Sequence, residues 1–459
     1  MSLQSALRTP QSALENPQLN NTQPIETAYL WSRLPINILR ERVLLVLAGA
    51  FTLSGFVLLE LISNQEHLTF FIVNWSVLIA FLVWSICFTA IHLHFNRRVR
   101  GRDPFLLPIA ALLTGWGLIE VARLAPGYLS RQVIWLIVGS SALIAITWSP
   151  ANLKWLRRYR YTWLIGGLFL LALTFVIGVN PEGSGLRLWL GGLAGVFFQP
   201  SEMLKLLFVA FLASYLAEKR EIAQSLQIEH QRFLTAPYLA PLIAMWAVAL
   251  ILLIGQQDLG TAILLYLTFL VMLYLASSQP RYLLVGVLLL IVAGLIGFQL
   301  IGRVRGRVST WIDPWTDSAG SSYQIVQSLI ALGSGGAIGS GLGQGSPDII
   351  LPAAHTDMPL AAIGEEFGLI GTLAVVICFS LLTLRGLRAA LRARTTYGQL
   401  LAAGLATSIG VQAWIIMAGN ANVAPLTGVT LPFVSYGGSS LLVSFLAIGL
   451  LSQISADRD

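Results

Sequence analysis

Residues 282–301 read Tyr282-Leu-Leu-Val-Gly-Val-Leu-Leu-Leu-Ile-Val-Ala-Gly-Leu-Ile-Gly-Phe-Gln-Leu-Ile301, twenty positions without one Asp, Glu, Lys or Arg. A helix rises about 1.5 Å per residue, so this run spans about 30 Å, the thickness of a bilayer's hydrocarbon core. Working outward, comparable windows begin near Val43, Thr69, Pro104, Gln132, Thr162, Glu202, Ala236 and Gly260 on one side, and near Met358, Tyr397 and Gly437 on the other. Composition agrees: 56% of the 459 residues are hydrophobic, 11% are charged, and the mean hydropathy is +0.75. The pattern predicts an all-α integral membrane protein, a polytopic helical bundle of 10–12 transmembrane segments, and excludes a soluble domain. The windows at 236–276 and 162–179 are the candidates for half-helices.

The charges set an orientation. With the N-terminus cytoplasmic, 21 of the 28 Lys and Arg residues fall on that side and six on the other, while Lys205 lies within a segment. Such a bias is the positive-inside pattern, so the net charge of +7 is a topology signal and not a nucleic-acid footprint. Residues 1–42 read as a disordered cytoplasmic tail, polar at first and lacking the apolar core of a cleavable signal. The membrane domain is 43–455, and 456–459 form a cytoplasmic end. Cys87 and Cys378 sit far apart in apolar segments, which fits small buried hydrophobes and neither a disulfide framework nor a zinc site.

This orientation gathers four unusual segments on the outer side: 180–202, 255–261, 303–357 and 420–440. They are expected to converge on one site. In the first, Arg187 beside Trp189 is either an interfacial anchor or a contact for a diphosphate or sugar. Pro200 suits a first helical turn and Ser201 or Gln199 its cap. Glu202 and Lys205, three apart on one helical face, form either a structural ion pair or the charged wall of a polar cavity. In the second, Asp258 is placed to cap the next helix, the alternative being a catalytic role.

The third segment is a large extracytoplasmic loop. It passes from Arg303, Arg305 and Arg307 through Asp313-Pro314 into 333–345, where seven of thirteen residues are glycine. Glycine at that density lets backbone approach a ligand and present N–H groups to an anion; the bland alternative is a flexible connector. The GxxxxGK[ST] order of an ATP-binding loop is absent. The loop closes on His355-Thr356-Asp357, and Glu365 and Glu366 follow about two turns into the next helix. Carboxylates inside an apolar helix are costly, so these should face a cavity, a partner or the interface. Asp357 is either the cap of that helix or a reactive carboxylate. In the fourth segment, Pro425–Ser440, two prolines and three glycines preclude a regular spanning helix and predict a re-entrant or broken segment lining a cavity.

Together these residues resemble a known family, the SEDS proteins, the FtsW, RodA and SpoVE group of cell-wall polymerases. The resemblance rests on Gln199-Pro200-Ser201-Glu202 with Lys205, on Asp258-Leu259-Gly260-Thr261-Ala262, and on the Gly-rich loop with His355-Thr356-Asp357. Its most specific element is Pro432-Phe433-Val434-Ser435-Tyr436-Gly437-Gly438-Ser439-Ser440. Two apolar segments precede the matching core where one is typical. The resemblance implies a peptidoglycan glycosyltransferase polymerising lipid II into glycan strands at the outer face of the bacterial plasma membrane, in elongation or division. A class B penicillin-binding protein is the implied partner and undecaprenyl diphosphate the leaving product. It makes Asp357 the essential carboxylate and Arg187, Trp189, Glu202, Lys205, Arg303, His355, Glu366 and Ser435 the substrate-binding set. Gln199, Pro200, Ser201, Asp258, Gly260, Pro432, Gly437 and Gly438 are the structural motif.

Such a reaction needs a base for the attacking sugar hydroxyl, for which Asp357 is the candidate. The leaving diphosphate needs positive charge from Arg187, Lys205 or Arg303, or from a divalent cation such as Mg or Mn; no tightly bound cofactor is expected. A single displacement inverts the anomeric carbon. Two other classes compete. A flippase or transporter would show paired broken helices in repeated halves and ionisable groups near the midplane, whereas here they gather at the outer edge. A scaffold would need no carboxylate beside a Gly-rich loop.

Overall fold

The structure is a computed structural model that describes residues 24–66, 75–149, 153–180, 183, 186–192, 196–225 and 236–456. Twelve long helices correspond to the twelve apolar windows: α1 (Pro24–Glu66), α2 (Trp75–Arg98), α3 (Leu106–Leu124), α4 (Leu129–Trp148), α6 (Arg160–Ile177), α7 (Pro200–Ser225), α8 (Ala236–Gly255), α9 (Leu259–Ser277), α10 (Pro280–Leu300), α14 (Pro359–Arg392), α15 (Thr396–Asn420) and α16 (Gly438–Ala456). Short helices α5 (Lys154–Arg158), α11 (Gly302–Ile312), α12 (Tyr323–Ser334) and α13 (Pro347–Ile350) lie between them. Among the described residues eleven helices are long and apolar enough to cross a membrane, including α6 and α9 from the windows considered as half-helices. Helices suit this setting because their backbone bonds close within the segment.

The tail boundary is corrected. Residues 1–23 lie outside the described residues, but 24–42 belong to α1, whose candidate span starts at Asn37. In the fold the charges near position 41 have partners, Glu41 accepting from Arg102 Nη2 at 2.7 Å and Arg42 Nε reaching His92 Nε2 at 3.3 Å. At the far end α16 runs to Ala456, and 457–459 lie outside the described residues.

Burial sorts the bundle into centre and rim. In α7 89% of the apolar window is buried inside the protein, against 11% in α10, so α7 is a central post and α10 a lipid-facing one. The described residues of the connections at 125–128, 178–199, 256–258, 301–358 and 421–437 lie at one end, here the site end; those of the Arg-rich connections at 97–105 and 149–159 lie at the other.

The Gly-rich stretch is bound into the fold and is not a loose connector. Helix α14 breaks at Gly368 (φ 63°, ψ −160°), which removes the bonds Leu369 and Ile370 N–H would make four residues back. Those donors go instead to Gly336 O (2.9 Å) and Ala337 O (3.2 Å), and the released Glu365 and Glu366 carbonyls accept from Ser340 N (2.9 Å) and Gly341 N (3.0 Å). A Cβ at Gly339 would stand 2.2 Å from Glu366 O, so glycine is required there for the strap to approach a second backbone. Irregular backbone at depth is tolerated when protein satisfies it.

Candidate active site

The end of the large loop is pinned through three successive carbonyls. His355 O accepts from Tyr436 N (2.7 Å), Thr356 O from Ser435 Oγ (2.6 Å), and Asp357 O from Asn420 Nδ2 (2.8 Å). Asn420, fully buried at the end of α15, also accepts Leu360 N through Oδ1 (3.2 Å), so it holds both the loop and the start of α14. The cap position of α14 is Met358, and no side chain caps it. Asp357 immediately precedes that position. It stands beside Gly428 (φ 70°), where an added Cβ would lie 3.9 Å from Asp357 Oδ2 and 3.4 Å from Arg307 Nη2.

Arg307 rises from α11 into this position. Burial, then the neighbouring Arg303, push its guanidinium down from the ordinary value, and Asp357 and Asp258 pull it back; it stays charged. Arg303 Nη1 donates to Gln257 Oε1 at 3.2 Å. Asp258 caps α9 through Thr261 N (3.1 Å), as the sequence predicts, and its other oxygen accepts from Ser201 Oγ (3.0 Å). The Ser201 hydroxyl thus bridges to Asp258 and does not cap α7, while Gln199 Nε2 donates to it at 3.1 Å. Pro200 does open α7. Gly260 packs on the fourth segment, since a Cβ there would meet Thr427 O at 2.5 Å. Parts of all four outer segments meet here.

The fourth segment, 421–437, is irregular throughout. Phe433 O lies against Gly117, seven residues below the end of α3, a depth of about 10 Å. Gln412 Nε2 donates to Thr430 O (2.8 Å), and Gly437 N donates to Gln132 Oε1 (3.4 Å). Gly438 opens α16 directly against the Trp135 indole.

Several predicted substrate contacts have other duties. Ser435 is 3% exposed and its hydroxyl bridges Thr356 O and Leu431 N, making it a clamp. Glu366, 2% exposed, accepts from Arg123 Nε (3.1 Å), and Arg123 also donates to Gly345 O (2.9 Å); Glu365 accepts from Ser346 N (2.8 Å). Both acids fasten the strap and α3. Glu202 and Lys205 do form the i,i+3 pair, at 2.7 Å, with Lys205 Nζ donating also to Gln412 Oε1 (2.7 Å). They line, with Pro432, a cavity of about 30 Å³, the space of roughly one water, so Lys205 is not presented to a diphosphate. Arg187 is exposed and Trp189 half-buried on a hairpin formed by β1 (Leu190–Gly191) and β2 (Phe197–Phe198); Trp189 pairs its backbone with Val179. The structure holds neither of them against Asp357.

His355 stays at the site, its ring stacked on Tyr128 (centroids 5.5 Å, 19°) and near Tyr436, with Arg131 over Tyr128. Burial raises the Tyr436 phenol above its usual value despite the pull of Arg131, so it is a neutral hydrogen-bonding group at physiological pH. A cavity of about 310 Å³ opens beside His355, lined by Tyr323, Asp348 and Pro352. Sequence reasoning missed Arg307 and Asn420. Arg307 had a signal, its i,i+4 spacing from Arg303 on one helical face; Asn420 had only its place at the end of an apolar helix.

Fold and site define a polytopic helical membrane protein with a charged site built on re-entrant, protein-satisfied backbone at one end. The family model described as Cell cycle protein, for FtsW, RodA and SpoVE, matches residues 125–459, and the chain belongs to that family. It is 36% identical over 435 residues to the peptidoglycan glycosyltransferase RodA of Mycobacterium tuberculosis, covering 92% of this chain and 91% of that one. To a probable peptidoglycan glycosyltransferase FtsW of Geobacter sulfurreducens it is 34% identical, covering 78% and 96%. Among solved structures, a chain of a peptidoglycan synthase complex described by its coordination of polymerization and crosslinking superposes with a TM-score of 0.64 at 25% identity, covering 78% of this chain and 98% of that one. The rod shape determining protein RodA of Thermus thermophilus gives 0.57 at 25% identity, covering 78% and 97%.

Proposed function

We propose that this chain is a peptidoglycan glycosyltransferase that polymerises lipid II at the outer face of the bacterial plasma membrane, with Asp357 as base and Arg307 as anion clamp. The observation that carries the assignment is the threefold pinning of 355–357 together with the approach of Asp357 Oδ2 and Arg307 Nη2 to the same space over Gly428. In the reaction the acceptor sugar hydroxyl bonds to the donor's anomeric carbon and passes its proton to Asp357. The bond from that carbon to the diphosphate oxygen breaks, and its electron pair leaves on undecaprenyl diphosphate. Arg307, with Arg303 at the rim, neutralises the growing charge, a role for which these two replace Lys205 and Arg187. One displacement inverts the anomeric carbon.

The charge bias supports the outward orientation of the site end and cytoplasmic termini. Likeness to a chain of a synthase complex supports a transpeptidase partner, a class B penicillin-binding protein. The longer match to RodA than to FtsW relatives favours elongation over division. A divalent cation enters the proposal as a companion of the substrate diphosphate. The test is glycan-strand formation from purified lipid II by the solubilised protein with its partner, wild type against Asp357→Asn. Polymer from wild type alone supports the proposal. Equal polymer from both overturns the role of Asp357, and scrambling of lipid II in vesicles without polymer replaces the polymerase by a flippase.

A further inference from the structure

The positive charge of the site end comes from Arg123, Arg131, Arg187, Arg303, Arg305 and Arg307. Arg123 is taken by Glu366 and Asp348, each at 3.1 Å, and Arg305 turns back on the carbonyls of Phe298 (3.2 Å) and Gln299 (2.8 Å). Arg187 is not held against Asp357, and Arg303 and Arg307 serve the leaving diphosphate. Arg131 remains. It stands half-buried in the first turn of α4, its guanidinium over the Tyr128 ring at 5.4 Å from the centroid and close enough to the Tyr436 phenol to act on it. Among the described residues no carboxylate pairs with it. A guanidinium cannot shed its charge, so this one calls for an anion from outside the chain. Its place is tied to Asp357: Tyr128 stacks on His355 at 5.5 Å, Tyr436 N donates to His355 O, and His355 precedes Asp357 by two positions. His355 also lines the cavity of about 310 Å³. Helices α4 and α16 begin side by side here, Gln132 Oε1 accepting from Gly437 N, so the positive ends of two helix dipoles add to the field of Arg131.

Polymerisation brings two lipid-linked diphosphates together and expels one. The acceptor contributes a sugar hydroxyl; the bonds of its own diphosphate neither form nor break, so that anion stays through the turnover. Two such anions at one site repel each other unless each has its own countercharge. We propose that Arg131 holds the retained diphosphate, that of the acceptor, with the acceptor's sugars in the cavity beside His355 and their reacting hydroxyl toward Asp357. The site then has two anion positions, Arg307 with Arg303 for the diphosphate that leaves and Arg131 for the one that stays. This rests on the polymerase reading and adds the acceptor position to it.

The test pairs kinetics with binding. Glycan-strand formation by the full chain with its partner is followed against lipid II concentration for wild type, Arg131→Gln and Arg131→Lys. Arg131→Gln should raise KM for lipid II about 10-fold, the effect of one charge-assisted contact, with kcat nearly unchanged, and Arg131→Lys should fall between. Native mass spectrometry of the full chain, with undecaprenyl diphosphate as the probe, should count two bound lipids in wild type and one in Arg131→Gln. Unchanged KM and two bound lipids in folded Arg131→Gln would overturn the proposal and leave the polymerase standing. A loss of kcat at unchanged KM would also overturn it, since a residue that only holds the acceptor acts on binding. No polymer from wild type, with the count still falling from two to one, would sink the polymerase reading and keep Arg131 as the anchor of a lipid diphosphate. Should Arg131→Gln misfold, Arg131→Lys carries both measurements, and wild-type values in it overturn the proposal. Loss of the second lipid on adding inorganic pyrophosphate at equal concentration would reassign the position to a soluble diphosphate.

Discussion

At the end of the bundle away from Asp357, Asp103 takes Arg385 Nε at 3.0 Å and Nη2 at 2.6 Å, and Glu41 takes Arg102 Nη2 and His92 Nδ1, both at 2.7 Å. Glu41, Asp103, Arg102 and His92 are all buried. At the site end Asp357, Asp258 and Arg307 are only half-buried, and Asp357 and Arg307 both border the space over Gly428. The same residue types serve opposite purposes. A bidentate pair ties the connection before α3 to α14 and has no face left for a substrate, whereas a pinned backbone that brings a half-buried carboxylate and guanidinium to one space can meet one.

The comparison breaks most easily at its two acids. Asp357→Asn should lower polymerisation by about 10²–10⁴-fold, the usual worth of a general base, without shifting the thermal unfolding midpoint. Asp103→Asn should do the reverse, weakening the protein by about 3–5 kcal/mol because Arg385 loses its buried partner, with turnover per folded molecule preserved. Parallel melting and polymerisation curves would show whether the two effects separate; if both variants lose only stability, the site end is structural as well. Next in size, Arg307→Ala should cost about 10²-fold in kcat, with Arg307→Lys recovering part of it. Retention of full turnover in Arg307→Ala would return the clamp to another cation. The smallest effect sharpens the contrast within the site: Asn420→Ala strands Asp357 O and Leu360 N, at about 1–3 kcal/mol of stability, and lowers kcat while leaving KM nearly unchanged. An altered KM with unchanged kcat would mean that Asn420 does not position Asp357.

Much of this could be read along the chain. All twelve windows became helices because a run such as 282–301 has one way to satisfy its backbone in lipid. Asp258 as a cap and Pro200 as a first helical residue were equally legible, since both depend on neighbours within a few positions. Glu366 and Ser435 were misread for the opposite reason. An acid two turns into an apolar helix signals a partner, but nothing local says that the partner is Arg123, 243 positions away.

The glycine stretch shows the same limit. Its composition announced a close approach of backbone to something, yet only the broken α14 revealed that the something is another part of the chain. Apolar length, charge bias and glycine spacing are local, additive properties, and from them the chain alone set the apolar windows that became helices and gathered the four unusual segments at one end. The placing of Arg307 beside Asp357, the clamp by Asn420 and the closure of Glu366 required the packed fold. A charged side chain's role depends on which neighbour desolvates or pairs with it, and folding supplies that neighbour from distant sequence.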